Sequence, residues 1–264
     1  MPQFPEELIQ TLMKMTGSSR KDVEDTLARS MAEMFSMGNA SARQKKTSQS
    51  KKTVYTREKY PHFLKEGNVQ KYTLRITLRE IKPAIWRKIE VPSNITLRHL
   101  GDLICDLMGW SGYHLNQFRK RNDYYMPAYQ RDGEEDYVWN CNNYNQEDFT
   151  IDDVLQKKTE TFIWEYDFGD SWEHEVRLSS IGEYKPGEER KIRFVGGKRQ
   201  CPPEDCGSYW GYDELIETFN RFKAGEKLSE DELENLEWAG WDEDYDPDSL
   251  DLEFCERIVE RYNN

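Results

Sequence analysis

No apolar run in this sequence approaches the ~18 residues that a membrane-crossing helix needs, so a membrane partner is not expected. Histidine is scarce, with four residues in 264, and the five cysteines are odd in number and widely spread. That usage excludes a disulfide-framed secreted scaffold and leads us to expect the reducing cytoplasm. The N-terminal stretch carries Glu6 and Glu7 where a secretory leader would be apolar, so export is not expected either. Positive charge is in the minority, with 37 Lys and Arg against 50 Asp and Glu, a formal balance of −13. There is no P-loop, no dinucleotide glycine fingerprint, no G-x-S-x-G and no H-E-x-x-H, which removes the commonest nucleotide, hydrolase and metalloprotease signatures.

What the chain does have is aromatic side chains, 8 Trp, 15 Tyr and 11 Phe. Charged residues make up 33%, above the roughly 25% of an average domain. An aromatic core in a very polar shell is expected, since disordered chains lack aromatics. The charge is unevenly placed. Residues 1–59 hold 11 basic and 7 acidic side chains, whereas residues 226–264 hold 3 basic and 15 acidic ones. Such asymmetry speaks to partners and solubility rather than to fold.

Three regions are expected. Residues 1–37 read as a small helical module, with Leu8, Ile9, Leu12 and Met13, then Val23, Leu27, Met31 and Met34, near helical spacing. Residues 38–69 read as a basic flexible linker rich in Ser, Thr, Gln and Lys. Its Arg43, Lys45, Lys46, Lys51 and Lys52 are either a solvated tether or a nucleic-acid contact. Residues 70–264 read as an α+β domain, a mainly antiparallel sheet with helices packed on one face. Tyr72, Leu74, Ile76 and Leu78 alternate with polar residues, as do Ile85, Arg87, Ile89 and Val91, which predicts a hairpin. Thr96 is placed to cap a helix through Met108. Residues 113–129 look strand-like, and the polar, Asn-rich 130–148 looks like a surface loop. A short helix is expected from Thr150, and strands around Phe162–Tyr166, Trp172–Leu178 and Ile192–Val195. Helices are then expected over 211–223, from the Ser229–Glu232 capping box, and over 251–262.

Five segments stand together in order: IKPAIWRKIEVP (81–92), LMGWSGYHLNQF (107–118), YDFGDSWEHEV (166–176), GGKRQCPPEDCGSYWGYDEL (196–215) and DYDPDSLDLE (244–253). This set resembles the plasmid pRiA-type ORF-three-like family, also labelled transposon passenger TnpR-like, over roughly residues 70–255. The resemblance implies a compact α+β domain and carries no established activity. Members often have an aromatic residue or histidine two positions after that of His114, where this chain has Asn116. They also often have Gly-Gly after the CPPED stretch, where it has Gly207-Ser208. Recombination is not carried over from the second label, because no nucleophile stands out and the matched region is acidic.

The candidate chemistry centres on two rigid turns. His174 shares a strand face with Trp172, Val176 and Leu178, so it is either a half-buried histidine held by a carboxylate or a metal ligand and proton shuttle. Asp167 and Asp170, in the turn before it, are its candidate partners, and Asp170 is equally suited to satisfying turn N–H groups. Cys201 and Cys206 have a spacing that loosely fits zinc, with His174 or His114 to complete the set; otherwise they form a redox disulfide or are packed thiols on a Pro-Pro loop. Glu204 and Asp205, with Arg199, form either an acid–base pair or caps of the next helix. Asp242, Asp244, Asp246 and Glu253 mimic an EF-hand spacing, but Pro247 replaces the required glycine, so Asp251 is expected to cap a helix instead. Trp238 and Trp241 are expected to be exposed in an acidic region and to meet a partner.

The reading is a protein-interaction or adaptor module meeting a protein partner. Its alternative is a metal-assisted hydrolase or nucleic-acid-processing enzyme of mobile elements, built on Asp170, His174, Cys201, Glu204 and Asp205, with zinc as the candidate cofactor.

Overall fold

The computed structural model describes residues 67–128 and 141–263, together with Arg20. The chain divides into two units, Met1–Tyr55 and Thr56–Asn264, and the second carries the elements described below. The expected N-terminal module beyond Arg20, and the basic linker with Arg43, Lys45, Lys46, Lys51 and Lys52, lie outside the described residues.

Period-two alternation builds the sheet. Strands β1 (Lys71–Leu78) and β2 (Trp86–Pro92) bury Tyr72, Leu74, Ile76 and Leu78 against Ile89 and Val91, and they pair antiparallel with Leu74 opposite Ile89. Helix α1 (Leu97–Met108) follows, and the Thr96 hydroxyl accepts the His99 amide at 3.1 Å, the capping expected of that residue. Then come β3 (Asn116–Lys120), β4 (Asp123–Met126), β5 (Asn142–Asn145), the short α2 (Ile151–Val154), β6 (Thr161–Tyr166), β7 (Trp172–Gly182) and β8 (Arg193–Lys198). Three helices close the chain: α3 (Ser208–Lys223), α4 (Glu230–Trp238) and α5 (Leu252–Arg261). The eight described strands form one sheet in the order β5-β4-β3-β6-β7-β1-β2-β8. Every pairing among them is antiparallel except β4 with β5. The fold is α+β. Strand β5 corrects the expectation of an all-loop segment over 130–148. Its Asn142 and Asn143 are exposed on a sheet edge and show no apolar alternation to read.

Helix α1 lies directly on the aromatic face of the sheet. A Cβ on Gly101 would stand 3.2 Å from Trp164 Nε1 and 3.3 Å from the Phe118 ring, so a glycine at that turn sets the approach. Helix α5 packs in turn on α1. Arg261 and the Tyr262 hydroxyl both donate to Asp106, and the His99 and Tyr262 rings meet at 4.8 Å.

The strand register gathers three connections at one end of the sheet. Asn116 at the start of β3 pairs with Tyr166 at the end of β6, and Tyr166 pairs with Trp172 at the start of β7. The α1–β3 loop and the β6–β7 turn therefore share an edge. Leu78 pairs with His174, and Lys198 at the end of β8 pairs with Trp86, so the β8–α3 loop leaves the sheet at that same end. That loop folds back onto α3 because residue 211 is glycine: a Cβ there would sit 1.7 Å from the Cys206 carbonyl oxygen.

Candidate metal centre

The three connections deliver one imidazole and a ring of carboxylates. Gly109 ends α1 at a φ of 83° and Gly112 adopts a φ of 75°, which turns the α1–β3 loop so that His114 faces the other two segments. Asp167 opens the β6–β7 turn at a φ of 57°, a conformation that aspartate tolerates better than most residues. Its amide donates to Leu115 O at 2.8 Å, which ties the turn to the histidine loop. Asp205, on the β8–α3 loop, also adopts a positive φ, 63°. Left-handed backbone at non-glycine residues collects where surrounding structure holds a functional geometry.

The distances define the cluster. His114 Nδ1 is 3.7 Å from Asp167 Oδ2, and Nε2 is 3.1 Å from Asp205 Oδ1 and 3.8 Å from Glu204 Oε1. Ligand atoms of His114, Asp167 and Asp205 all fall within 4.8 Å of one another. Glu204 is fixed from behind, since the Ser111 amide donates to Oε2 at 2.7 Å and the Tyr166 hydroxyl donates to Oε1. That hydroxyl accepts in turn from the Gly112 amide at 3.0 Å. Burial, then the bond to Glu204, raises the Tyr166 phenol above its ordinary range, so it stays protonated. Trp110 stacks on Tyr166 at 5.3 Å and donates from Nε1 to Pro202 O at 3.0 Å, which holds the Pro-Pro loop against the sheet. Asp170 is a clamp: its Oδ2 accepts the Gly207 amide at 3.1 Å, joining the turn to the loop.

Charge makes this arrangement unusual. Three carboxylates face one imidazole, and even a doubly protonated ring neutralises only one of them. Both ring nitrogens point at carboxylate oxygens, yet a neutral imidazole has a single N–H to donate. With one donor buried, one half-buried and one exposed, these N and O atoms are the ones that could hold a divalent cation.

Of the residues expected at the site, the structure brings together Asp167, Glu204 and Asp205, with Asp170 beside them. His174 stands apart as a core residue. It is fully buried on the sheet, its Nδ1 lies 3.3 and 3.2 Å from the carbonyl oxygens of Trp164 and Trp172, and its ring packs on Trp110 and Trp164. Burial pulls its pKa down to about 3, so it is neutral, and its contacts are carbonyls rather than Asp167 or Asp170. Among the described residues, His114, Asp167 and Asp205 form the one metal-compatible group, so Cys201, Cys206 and His174 do not converge as ligands. The Cys201 thiol receives Arg87 Nη2 at 3.1 Å and contacts Met108 Sδ, and that of Cys206 approaches Ser208 O. Burial raises both thiols, Cys206 to about 12. Arg199 is a tie, donating to Pro83 O at 2.7 Å and pairing with Asp248. Neither Glu204 nor Asp205 caps α3, whose N-cap Gly207 has no side-chain bond.

The acidic C-terminal region holds itself together. Asp242 accepts the amides of Asp244 and Tyr245, Asp246 accepts that of Asp248, and Asp251 caps α5 through the Phe254 amide. Trp238 is exposed, but Trp241 is only 4% exposed and stacks on Tyr245 at 4.6 Å. The other strongly exposed aromatics among the described residues are Tyr113 (90%), next to His114 in the chain, Phe168, next to Asp167, and Trp210 (70%) in the first turn of α3.

Comparison with known proteins places these elements in a shared frame. The sequence pattern of the plasmid pRiA4b ORF-3-like protein family matches residues 70–254. An uncharacterised protein, y4hQ, of Sinorhizobium fredii is 28% identical over 192 residues, covering 71% of this chain and 89% of its own. A protein of unknown function from Methanosarcina mazei Go1, known from a crystal structure, is 30% identical with a TM-score of 0.58. That match covers 72% of this chain and 98% of the archaeal one. No described helix is long and apolar enough to cross a membrane.

Proposed function

The chain belongs to the plasmid pRiA4b ORF-3-like family, and on that premise we propose that it is a metal-assisted hydrolase. Its centre would hold a zinc or manganese ion between His114, Asp167 and Asp205. The observation that carries this reading is the convergence of those three donors within 4.8 Å on loops from three separate connections. One imidazole and two carboxylates without thiolate suit an ion of intermediate hardness, and three protein ligands leave a position open, as catalytic zinc sites do. An ion held there would supply Lewis acidity and would make an attached water more acidic. Glu204, oriented by Ser111 and Tyr166 and 3.8 Å from His114 Nε2, is placed to accept a proton as general base. Tyr166, kept protonated, holds that carboxylate in position. None of the five cysteines is in a disulfide, which supports a reducing compartment, the cytoplasm.

The test is calorimetric titration of the full chain with zinc and with manganese, followed by hydrolysis of p-nitrophenyl esters, anilides and phosphates. One ion per chain is expected, with metal-dependent turnover of one substrate class. His114→Ala should lose both, and Glu204→Gln should keep the ion and lose turnover. Absence of a saturable ion in the wild-type protein would overturn the reading.

A second reading is a docking face for a basic protein partner. It is favoured by Tyr113, Leu115 and Phe168, exposed next to His114 and Asp167 in the chain, and by Trp210, exposed in the first turn of α3, since large exposed apolar groups beside fixed charge mark interfaces. Capture of a cationic partner that is lost in a Tyr113→Ser, Trp210→Ser double variant, without turnover of any probe, would favour this reading over the first.

A further inference from the structure

A cavity of about 430 Å³ lies beside the cluster, between the C-terminal end of α1, the Pro-Pro loop and the α4–α5 region. Its size is that of a small-molecule pocket. Trp110, Trp241, Tyr245, Phe254, Leu250 and Met108 line it, and so does Glu204, whose other face looks at His114. The wall between cavity and cluster is therefore the stack of Trp110 on Tyr166, with Glu204 bonded to the Tyr166 hydroxyl.

The polar content of the cavity says what does not belong in it. Among the described residues lining it, Arg87 is the one cation. Its guanidinium is committed to the carbonyl oxygens of Leu107, Trp86, Lys198 and Arg199 and to Cys201 Sγ, at 3.0–3.2 Å. A phosphate or a nucleic-acid backbone needs free Arg or Lys donors, and it would also face the carboxylates of Glu204 and Asp251, which line the cavity. Aromatic walls instead favour a flat or branched apolar group.

We infer that this cavity receives the aromatic or branched apolar side chain of a neutral, peptide-like amide whose carbonyl lies toward Glu204. Turnover of that amide as a substrate rests on the hydrolase reading; its binding in the cavity does not, because none of His114, Asp167 and Asp205 lines the pocket.

The test is ¹⁹F spectroscopy of the full chain labelled with 5-fluorotryptophan. The Trp110 and Trp241 resonances are assigned from their Phe variants and followed with N-acetyl-phenylalaninamide, N-acetyl-glycinamide and phenyl phosphate, with and without zinc. The expected result is a saturable shift of both resonances with the phenylalanine amide, at least about tenfold tighter than with the other two. Ala239→Leu and Leu250→Phe, which enlarge side chains lining the cavity, should each weaken that binding about tenfold and leave zinc uptake unchanged. Unmoved resonances, equal response to the glycine amide, tighter binding of phenyl phosphate, or undiminished binding in both filled variants would overturn the inference. A shift without any metal uptake would sustain the cavity and sink the hydrolase, and the converse result would do the reverse.

Discussion

His114 and His174 are the same side chain in opposite settings. His174 sits inside a regular strand, its ring between Trp110 and Trp164 and its Nδ1 against two carbonyl oxygens. His114 sits on a glycine-bracketed loop with carboxylates from two other segments at both ring nitrogens. The sheet gives its histidine burial and no charge, and the loops give theirs charge and an open side. A rigid scaffold carrying function on its loops produces that division. A histidine whose alternation already places it among Trp172, Val176 and Leu178 belongs to packing rather than chemistry.

The largest effect separating the two is a pH dependence. His174, with its pKa at about 3 when folded against ~6.5 unfolded, lets the unfolded chain bind the proton first. Its contribution to stability is complete above about pH 6.5 and falls by about 1.4 kcal/mol per unit below it, 4–5 kcal/mol in all by about pH 3. Urea unfolding at pH 7 and pH 5 should therefore differ by about 2 kcal/mol more in the wild-type protein than in His174→Phe. Equal differences in the two proteins would remove His174 from the account of acid stability.

At the other histidine the expected change is in ion binding. His114→Ala should weaken zinc at least about 100-fold, roughly 2.7 kcal/mol, with its urea midpoint nearly unchanged because the ring is partly exposed. A large loss of stability with intact zinc binding would reverse the assignment of roles. Tyr166→Phe removes the hydroxyl that orients Glu204 and should cost about tenfold in turnover. Little change in ion affinity is expected, and a turnover rate equal to wild type would detach Tyr166 from the centre. The smallest effect concerns the loop that carries Glu204 and Asp205. Ser208 adopts a φ of 66°, a left-handed conformation that favours glycine. Ser208→Gly should stabilise the chain by up to about 1 kcal/mol by relieving that strain, as thermal unfolding would read. A destabilised variant would mean that the serine side chain supports the loop.

These contrasts explain what the sequence disclosed. Period two announced β1, β2, β6 and β7, and Thr96, Ser229 and Asp251 announced helix starts because capping is local chemistry. Strand β5 was hidden because an Asn-rich edge strand has no apolar face to alternate. Asp167, Glu204 and Asp205 were legible as charged groups on tight turns, but their common target was not. His114 lies more than 50 residues before Asp167 and about 90 before Glu204, and only the register of β3, β6 and β8 closes those intervals. The usable signal was present in three short segments, each placing a titratable residue within two positions of Gly or Pro: GYHL, YDFGD and PPED. Cys201 and Cys206 drew attention by spacing alone, and their actual neighbours are Arg87, Met108 and Ser208.

The most direct measurement is anomalous diffraction at the zinc edge from crystals of the full chain grown with zinc, beside crystals of His114→Ala and Cys201→Ser. The account predicts one strong peak bounded by His114, Asp167 and Asp205 in the wild type and in Cys201→Ser, and none there in His114→Ala. A peak at Cys201 and Cys206, or no ordered peak between the three loops, would contradict it.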